Sequence, residues 1–120
     1  MGRSLYAFYG SLRRGMRLHK QFRNDLQYQY NLWLQGYDLY SLGSYPYALK
    51  SSDPMHRILV EVMMISDKET EKTIFKIESD AGYYGHNIII GDDEVTIFLF
   101  EESANNMRID SGDWGIFFGQ

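Results

Sequence analysis

The run from Arg57 to Ile65, RILVEVMMI, constrains the fold more than any other part of the chain, because Glu61 is the only charged residue between its two ends. A strand with apolar side chains on both faces must be covered on both faces by the rest of the protein. The sequence therefore predicts a sheet in which residues 57–65 form a central strand. Glu61 is the exception in this run and is a candidate functional acid.

Shorter runs predict the other strands of this sheet. Residues 4–9, SLYAFY, have the length of a strand and are followed by Gly10. Residues 30–49 alternate apolar and polar side chains, as expected of extended chain with bends at its glycines. Residues 86–90 and 95–100 flank a glycine-containing turn that is typical of a β-hairpin.

Two segments have the pattern of helices. After Gly15, apolar side chains recur at near-helical spacing as far as about Asp25, which predicts a short amphipathic helix. Ser66 and Glu69 have the S-x-x-E spacing of a capping box, so a second helix is predicted to begin there and to end near Ser79.

The order of these elements favours an α+β fold. Strands and helices are interspersed without the regular βαβ alternation of a parallel sheet. At 120 residues the chain has the usual length of one domain, so we predict a single domain over residues 1–120. We expect a mixed sheet, curled or closed into a small β-barrel, with helices on its outside. The closing SGDWGIFFG, residues 111–119, is too rich in glycine and aromatic side chains to be a free tail.

Composition argues against several classes of function. Asp plus Glu number 16 against 12 Lys plus Arg, which disfavours a protein that binds nucleic-acid backbones. The chain has no cysteine, its three histidines stand far apart, and it contains neither a Walker loop nor G-x-G-x-x-G, so we expect no metal and no cofactor. No run approaches the roughly 18 apolar residues of a membrane span, and the start lacks the order of a signal peptide. We therefore predict a soluble, cytoplasmic protein.

The segment after the first predicted strand, YGSLRRG at residues 9–15, has two explanations. Gly10 lets consecutive backbone N–H groups point into one small concavity, and such a nest binds a carboxylate. Ser11 would add a hydroxyl donor there. The alternative is ordinary turn chemistry, in which Gly10 turns the chain and Ser11 caps the following helix. The spacing alone favours the ordinary turn.

Glu78 is the second candidate functional residue, since it lies at the end of a predicted helix, where the helix dipole does not favour a carboxylate. An exposed helix-end glutamate is the ordinary alternative. Among the other acids, Glu69 is explained by the capping box and Glu71 by a solvated helix face, whereas Glu61 remains a rival. Tyrosines could line a nearby cleft or simply pack in the core and at its rim, and the candidates are Tyr37, Tyr40, Tyr45, Tyr47, Tyr83 and Tyr84.

Four segments, in order along the chain, have the form of motifs from one known family. YAFYGSLRRG at 6–15 is similar to a strand followed by Y-G-[ST]-L-[RK]-x-G, and GYDLYSLGSYPYAL at 36–49 is similar to G-Y-x-L-Y-x-x-G-x-Y-P. IESDAGYY at 77–84 is similar to a helix-ending E-x-x-A-G-Y, and SGDW at 111–114 is the closing motif. Together they resemble the gamma-glutamylcyclotransferase-like family, which includes gamma-glutamylamine cyclotransferases and avirulence-induced-gene-like proteins. The resemblance favours a functional interpretation of the loop and of Glu78.

The resemblance implies a small β-barrel flanked by helices, with the Y-G-S-L loop as the floor of a cavity. In the family's reaction, the α-amine of a small γ-glutamyl substrate attacks its own side-chain carbonyl, closes the ring of 5-oxoproline and expels an amine. The nucleophile belongs to the substrate, so the enzyme has only to hold a folded conformer and to move protons. Glu78 would be the proton acceptor. The residues implied to bind the substrate, largely through backbone amides, are Tyr9, Gly10, Ser11, Leu12 and Tyr83.

The chain departs from the family pattern in two places. Tyr83 is followed by YGH at residues 84–86, where many relatives have an arginine, and Glu61 follows Val60, where the family often has Gly. These departures leave the substrate open. Three hypotheses follow: a cyclotransferase for a γ-glutamyl amine or related compound, which we favour; a non-catalytic small-molecule binding or regulatory module; and a protein-interaction domain whose glycines are purely structural.

Overall fold

The computed structural model describes residues 4–102 and 105–118. Within these residues the chain forms seven strands and three helices. In chain order they are β1 (Leu5–Phe8), α1 (Arg17–Phe22), β2 (Leu26–Gln35), β3 (Tyr37–Ser41), β4 (Pro46–Lys50), β5 (Arg57–Ile65), α2 (Lys68–Asp80), β6 (Tyr84–Ile90), β7 (Asp93–Leu99) and α3 (Trp114–Phe118).

The main sheet has five strands in the order β2-β5-β1-β7-β6. β5 is an interior strand that runs antiparallel to both β1 and β2, whereas β1 runs parallel to β7. β6 and β7 form the hairpin that their sequence predicts. The α+β class, the mixed sheet and the central position of residues 57–65 are therefore confirmed.

Both faces of the main sheet are buried at β1, whose four residues alternate between two cores. Leu5 and Ala7 belong to a core on one face, which the hairpin of β3 and β4 helps to close. Tyr6 and Phe8 belong to a second core on the other face, where α2 contributes Ile74. The end of β1 is thus held from both sides, and the loop that follows it starts from a rigid strand.

The closed barrel that the family resemblance implies is not shown. Within residues 4–102 and 105–118, no strand pairing joins the edge strands β2 and β6, and β3 with β4 forms a separate two-stranded sheet. Residues 30–49, predicted as extended chain, supply the second half of β2 and this hairpin. The architecture is a main sheet with the hairpin on one face and α2 on the other.

The start of α2 differs from the predicted capping box. The N-cap is Asp67, whose carboxylate accepts the N–H of Thr70 at 2.9 Å, so the prediction that Ser66 and Glu69 form the cap is wrong. Serine and aspartate are similarly good N-caps, and the positive end of the helix dipole also favours a carboxylate. The Glu69 side chain is exposed and lies 3.8 Å from the Lys72 ammonium.

The other two helices are short. α1 has the predicted amphipathic character, since Leu18 and Phe22 pack against the second core, but it ends earlier than predicted. α3 confirms that the chain up to residue 118 is not a free tail, because Trp114 is 1% exposed within the first core. Residue 119, which the prediction included, lies outside the described residues. None of the described helices has the length and apolar character needed to cross a membrane.

Candidate active site

A cavity of about 210 Å³ lies where β1 ends. Its walls come from the loop after β1, the start of α1, the chain at the start of β4 and the end of α2. One water molecule needs only about 10–15 Å³ of such space, so the cavity has room for a small molecule. The residues that line it are Ala7, Phe8, Tyr9, Gly10, Ser11, Leu12, Arg17, Leu18, Tyr45, Pro46, Ile77, Glu78, Ala81, Tyr83 and Phe98.

The backbone N–H and C=O groups of the loop after β1 are used unequally by the protein. The carbonyl of Ser11 accepts the N–H groups of Leu18 and His19, both at 3.1 Å. By contrast, the N–H groups of Ser11 and Leu12 have no backbone acceptor within the described ranges. Carbonyls of the loop are thus used by the protein, whereas these two amides are not, and unpaired backbone amides of this kind are what a carboxylate-binding nest requires.

The ordinary-turn explanation of the loop predicts that the Ser11 side chain caps the next helix, and the structure shows no such cap. The N-cap of α1 is Met16, and no side-chain cap bond is formed there. Ser11 reaches the helix through its backbone carbonyl instead. Its hydroxyl is therefore available as an additional donor or acceptor at the cavity.

Gly10 is required by a close approach rather than by an unusual backbone angle. Its φ does not lie in the left-handed region. A Cβ at this position would lie 2.8 Å and 2.9 Å from two ring carbons of Pro46. The absence of a side chain at Gly10 thus lets β4 pack directly against the floor of the cavity.

Glu78 reaches the cavity from the last turn of α2, which ends in a Schellman motif. Gly82 takes the left-handed conformation with φ +100°, and its N–H donates to the carbonyl of Ser79 at 3.1 Å. The N–H of Tyr83 donates to the carbonyl of Glu78 at 3.0 Å. These two bonds end the helix and fold Tyr83 back beside Glu78.

The carboxyl group of Glu78 is poised to exchange a proton near neutral pH. The residue is partly buried, and this burial raises its pKa from 4.5 to about 7. The negative end of the α2 dipole acts in the same direction. No hydrogen bond or ion pair engages the carboxyl within the part of the chain that is described. An acid with such a pKa and no protein partner is suited to general acid–base chemistry.

Tyr9 and Tyr83 line the cavity as neutral phenols whose hydroxyl protons are already used. Tyr83 donates to the carbonyl of Pro46 at 2.5 Å, while Tyr9 donates to the carbonyl of Phe98 and accepts the N–H of Ala48. Burial first, and the neighbouring Glu78 as well, raise the pKa of both hydroxyls above the ordinary tyrosine value. Their contribution to binding would come from ring surface and backbone.

The structure places every residue that the resemblance implied around this one space. Glu78, Tyr9, Gly10, Ser11, Leu12 and Tyr83 all line the cavity. Of the other candidate tyrosines, Tyr45 joins them. Tyr37 and Tyr47 are buried in the fold, Tyr40 stacks on Tyr47, and Tyr84 is exposed.

The rival acids lie elsewhere. Glu61 does not line the cavity and pairs instead with Arg13 and Arg14. The prediction that Glu71 lies on a solvated helix face is wrong, since its carboxylate accepts a hydrogen bond from the hydroxyl of Tyr6 at 2.5 Å. The described residues also contain no group of three or more histidine or acidic side chains that could hold a metal ion.

Arg17 and Pro46 are two of the lining residues that the sequence reasoning missed. Arg17 lines the cavity and forms no ion pair with the described residues. Nothing in the sequence around it distinguishes it from Arg13 and Arg14. Pro46 contacts the loop through Gly10, and the Y-P pair of the 36–49 motif could have pointed to it.

A comparison with models of protein families finds one that matches most of the chain. The model described as "Gamma-glutamyl cyclotransferase, AIG2-like" matches residues 6–115. The chain belongs to this family. The matched range includes the loop after β1, Glu78 and the SGDW segment. None of the curated proteins matches the chain.

Solved structures agree with the family in fold. An uncharacterized protein of Pyrococcus horikoshii, PH0828, is 30% identical, with a TM-score of 0.81 over 96% of this chain and 92% of that one. The uropathogenic Escherichia coli-specific protein c4763 is 20% identical, with a TM-score of 0.80 over 100% and 98% of the two chains. An AIG2-like protein of Mus musculus, also named GGACT, is 15% identical, with a TM-score of 0.69 over 88% of this chain and 82% of that one. The last two likenesses, at such low identity, concern the fold.

Proposed function

We propose that this chain cyclises a γ-glutamyl amine, or a related γ-glutamyl compound, to 5-oxoproline and releases the amine. One observation carries the proposal: Ser11 and Leu12, whose amides have no backbone acceptor in the part of the chain that the structure describes, share a cavity with Glu78, whose pKa is raised to about 7. Membership of the gamma-glutamyl cyclotransferase, AIG2-like family supports the same reaction.

The amides of Ser11 and Leu12 suit the α-carboxylate of such a substrate. Backbone N–H groups held in a fixed concavity bind an anion without losing side-chain entropy. The hydroxyl of Ser11 would add a contact to the same group or to the amide carbonyl. Holding the carboxylate there would leave the folded γ-glutamyl chain between the loop and Glu78.

The reaction would then be an intramolecular aminolysis. The α-nitrogen attacks the γ-carbonyl carbon, a C–N bond forms, and a five-membered ring closes through a tetrahedral intermediate. The bond from that carbon to the leaving nitrogen breaks, which gives the lactam and a free amine. No water is consumed, and orientation of the reacting groups supplies much of the acceleration.

Glu78 would move the protons. In total, two protons pass from the α-nitrogen to the leaving nitrogen as an ammonium substrate becomes a lactam and an ammonium product. As a carboxylate, Glu78 takes the first proton and so frees the nucleophile. Protonated, it returns a proton to the departing nitrogen, and it can repeat the transfer when the intermediate collapses. A pKa of about 7 makes both forms accessible at neutral pH.

Glu78→Gln tests this assignment. The substitution keeps the shape of the side chain but cannot exchange the proton, so kcat for 5-oxoproline release should fall about 10²- to 10⁴-fold. Binding of the γ-glutamyl compound, measured by calorimetry, should change by less than about threefold. Glu71→Gln is the matched control, because it removes a carboxylate of the same helix that does not line the cavity.

The outcomes separate the hypotheses. Wild-type protein should release 5-oxoproline from at least one member of a panel of γ-glutamyl amines and γ-glutamyl amino acids. Unchanged turnover in Glu78→Gln would refute the role of Glu78. Binding of the panel compounds without turnover by the wild type would replace the enzyme by a binding module.

A further inference from the structure

Glu61 lies away from the cavity but holds Arg13 and Arg14, in the second half of the loop after β1. It is 5% exposed in the middle of β5. Its carboxylate accepts the backbone N–H of Arg14 at 2.9 Å. The Nε atoms of Arg14 and Arg13 lie 3.3 Å and 3.4 Å from the same carboxylate. An interior strand of the sheet thereby fixes the chain at residues 13 and 14.

The guanidinium of Arg13 also reaches the start of α3. Its Nη1 lies 2.9 Å from Oδ1 of Asp113, which is 7% exposed. The same oxygen accepts the N–H of Gly115 at 2.9 Å. A Cβ on Gly115 would lie 3.4 Å and 3.5 Å from the two terminal nitrogens of Arg13, so the guanidinium packs closely against this turn. The SGDW segment, which the proposed reaction does not use, is joined to the loop in this way.

The role of this cluster is better explained by the positions that it fixes than by the stability that it adds. Two guanidinium groups balance two carboxylates, and apolar side chains of similar volume often stabilise a protein as well as a buried ion pair does. The planar fork of an arginine, however, fixes two carboxylates in defined directions. Tyr9 restrains the other end of the loop through its bonds to Phe98 and Ala48. The segment between Tyr9 and Arg13 is therefore held at both ends.

We propose that Glu61, Arg13 and Asp113 form a positioning unit that keeps the N–H groups of Ser11 and Leu12 directed to a substrate carboxylate. The inference rests on the proposed function, because that function assigns these amides to the α-carboxylate. None of the three side chains lines the cavity, so they act through the backbone of the loop. The SGDW segment, about a hundred residues from the loop in sequence, thus belongs to the machinery of the site.

Glu61→Gln and Asp113→Asn test the unit through the kinetics of 5-oxoproline release. Both variants keep side-chain size and remove one counter-charge of Arg13. KM for the γ-glutamyl substrate should rise about tenfold or more while kcat falls less than about threefold, because binding of the carboxylate is what the loop supplies. Arg13→Lys should recover part of the binding lost in Arg13→Ala. Asp38→Asn is the matched control, since Asp38 also pairs with an arginine, Arg108 at 3.0 Å, outside the site.

Amide hydrogen exchange gives a readout that does not need activity. The N–H of Met16 bonds to the carbonyl of Arg13 at 3.0 Å, and the N–H of Arg13 bonds to that of Gly10 at 3.0 Å. In Glu61→Gln these two amides should exchange about tenfold faster, while the Tyr83 amide is unchanged. Unchanged exchange and unchanged KM in folded variants would overturn the positioning unit. A wild type that releases no 5-oxoproline would refute the proposed function instead, and exchange would still decide whether Glu61 orders the loop.

Discussion

The two environments of the loop after β1 differ in how their polar groups are used. Toward the cavity, the amides of Ser11 and Leu12 and the carboxyl of Glu78 are left without protein partners in the described chain. Away from the cavity, Glu61 makes several bonds to Arg13 and Arg14. Groups with all their bonds made maintain the shape of a protein, whereas half-buried groups left open invite a ligand.

Glu78→Gln should have the largest effect on this contrast, because above pH 7 it should stabilise the folded protein while it removes the activity. The folded pKa is about 7 against an ordinary 4.5, so between these values the folded state keeps a proton that the unfolded state has lost. Stability therefore falls as the pH rises through this window, by at most about 3 kcal/mol, and partial exposure reduces that figure. Glutamine does not ionise and should remove this loss.

Urea unfolding at pH 5 and pH 8 measures the effect. The wild type should lose more stability between the two pH values than Glu78→Gln does. Added salt should leave that difference largely unchanged, because its cause is burial rather than a neighbouring charge. Identical pH dependence in the two proteins would contradict the raised pKa.

Gly10→Ala should disturb the floor of the cavity without changing any polar group. The new Cβ would meet the Pro46 ring at 2.8 Å, so we expect a destabilisation of about 1–3 kcal/mol and a marked rise in KM. Pro46→Ala would remove the colliding ring atoms, and Gly10→Ala should then cost less in that background. Strict additivity of the two substitutions in urea unfolding would show that the predicted clash does not occur.

Arg17→Gln should have a small effect and would compare Arg13, which two carboxylates hold, with Arg17, which has no ion pair among the described residues. Because Arg17 lines the cavity without an ion-pair partner in the described chain, its removal should leave thermal stability within about 0.5 kcal/mol. KM should rise only about two- to fivefold, since an exposed charge is screened by water. An Arg17 variant as impaired as Glu61→Gln would show that the cavity depends on a side-chain cation rather than on positioned amides.

Features encoded by local sequence could be predicted. β5 follows from its continuous apolar run, and the hairpin of β6 and β7 follows from its glycine turn. Glu78 could be singled out because the Gly82 that ends α2 is only four residues away, so the acid had to lie in the last turn. Motif order along the chain then gave the family.

Features that depend on long-range contacts could not be predicted. Arg13, Arg14 and Arg17 are the same residue type within five positions, and their different uses depend on where residues 61 and 113 lie in the fold. The choice of Asp67 over Ser66 as the N-cap is a near tie between two good caps. Whether the sheet closes depends on the twist of all its strands, which no single segment determines.

The spacing between Ile74 and Glu78 in α2 also limits how the gene for this protein can change in length. Packing of Ile74 against the sheet fixes the rotation of the helix, and Glu78 lies one turn further on. One inserted codon between these two residues would rotate the carboxyl by about 100°, away from the cavity. The spacing of four from Ile74 to Glu78 is therefore under the same constraint as the identity of the acid itself.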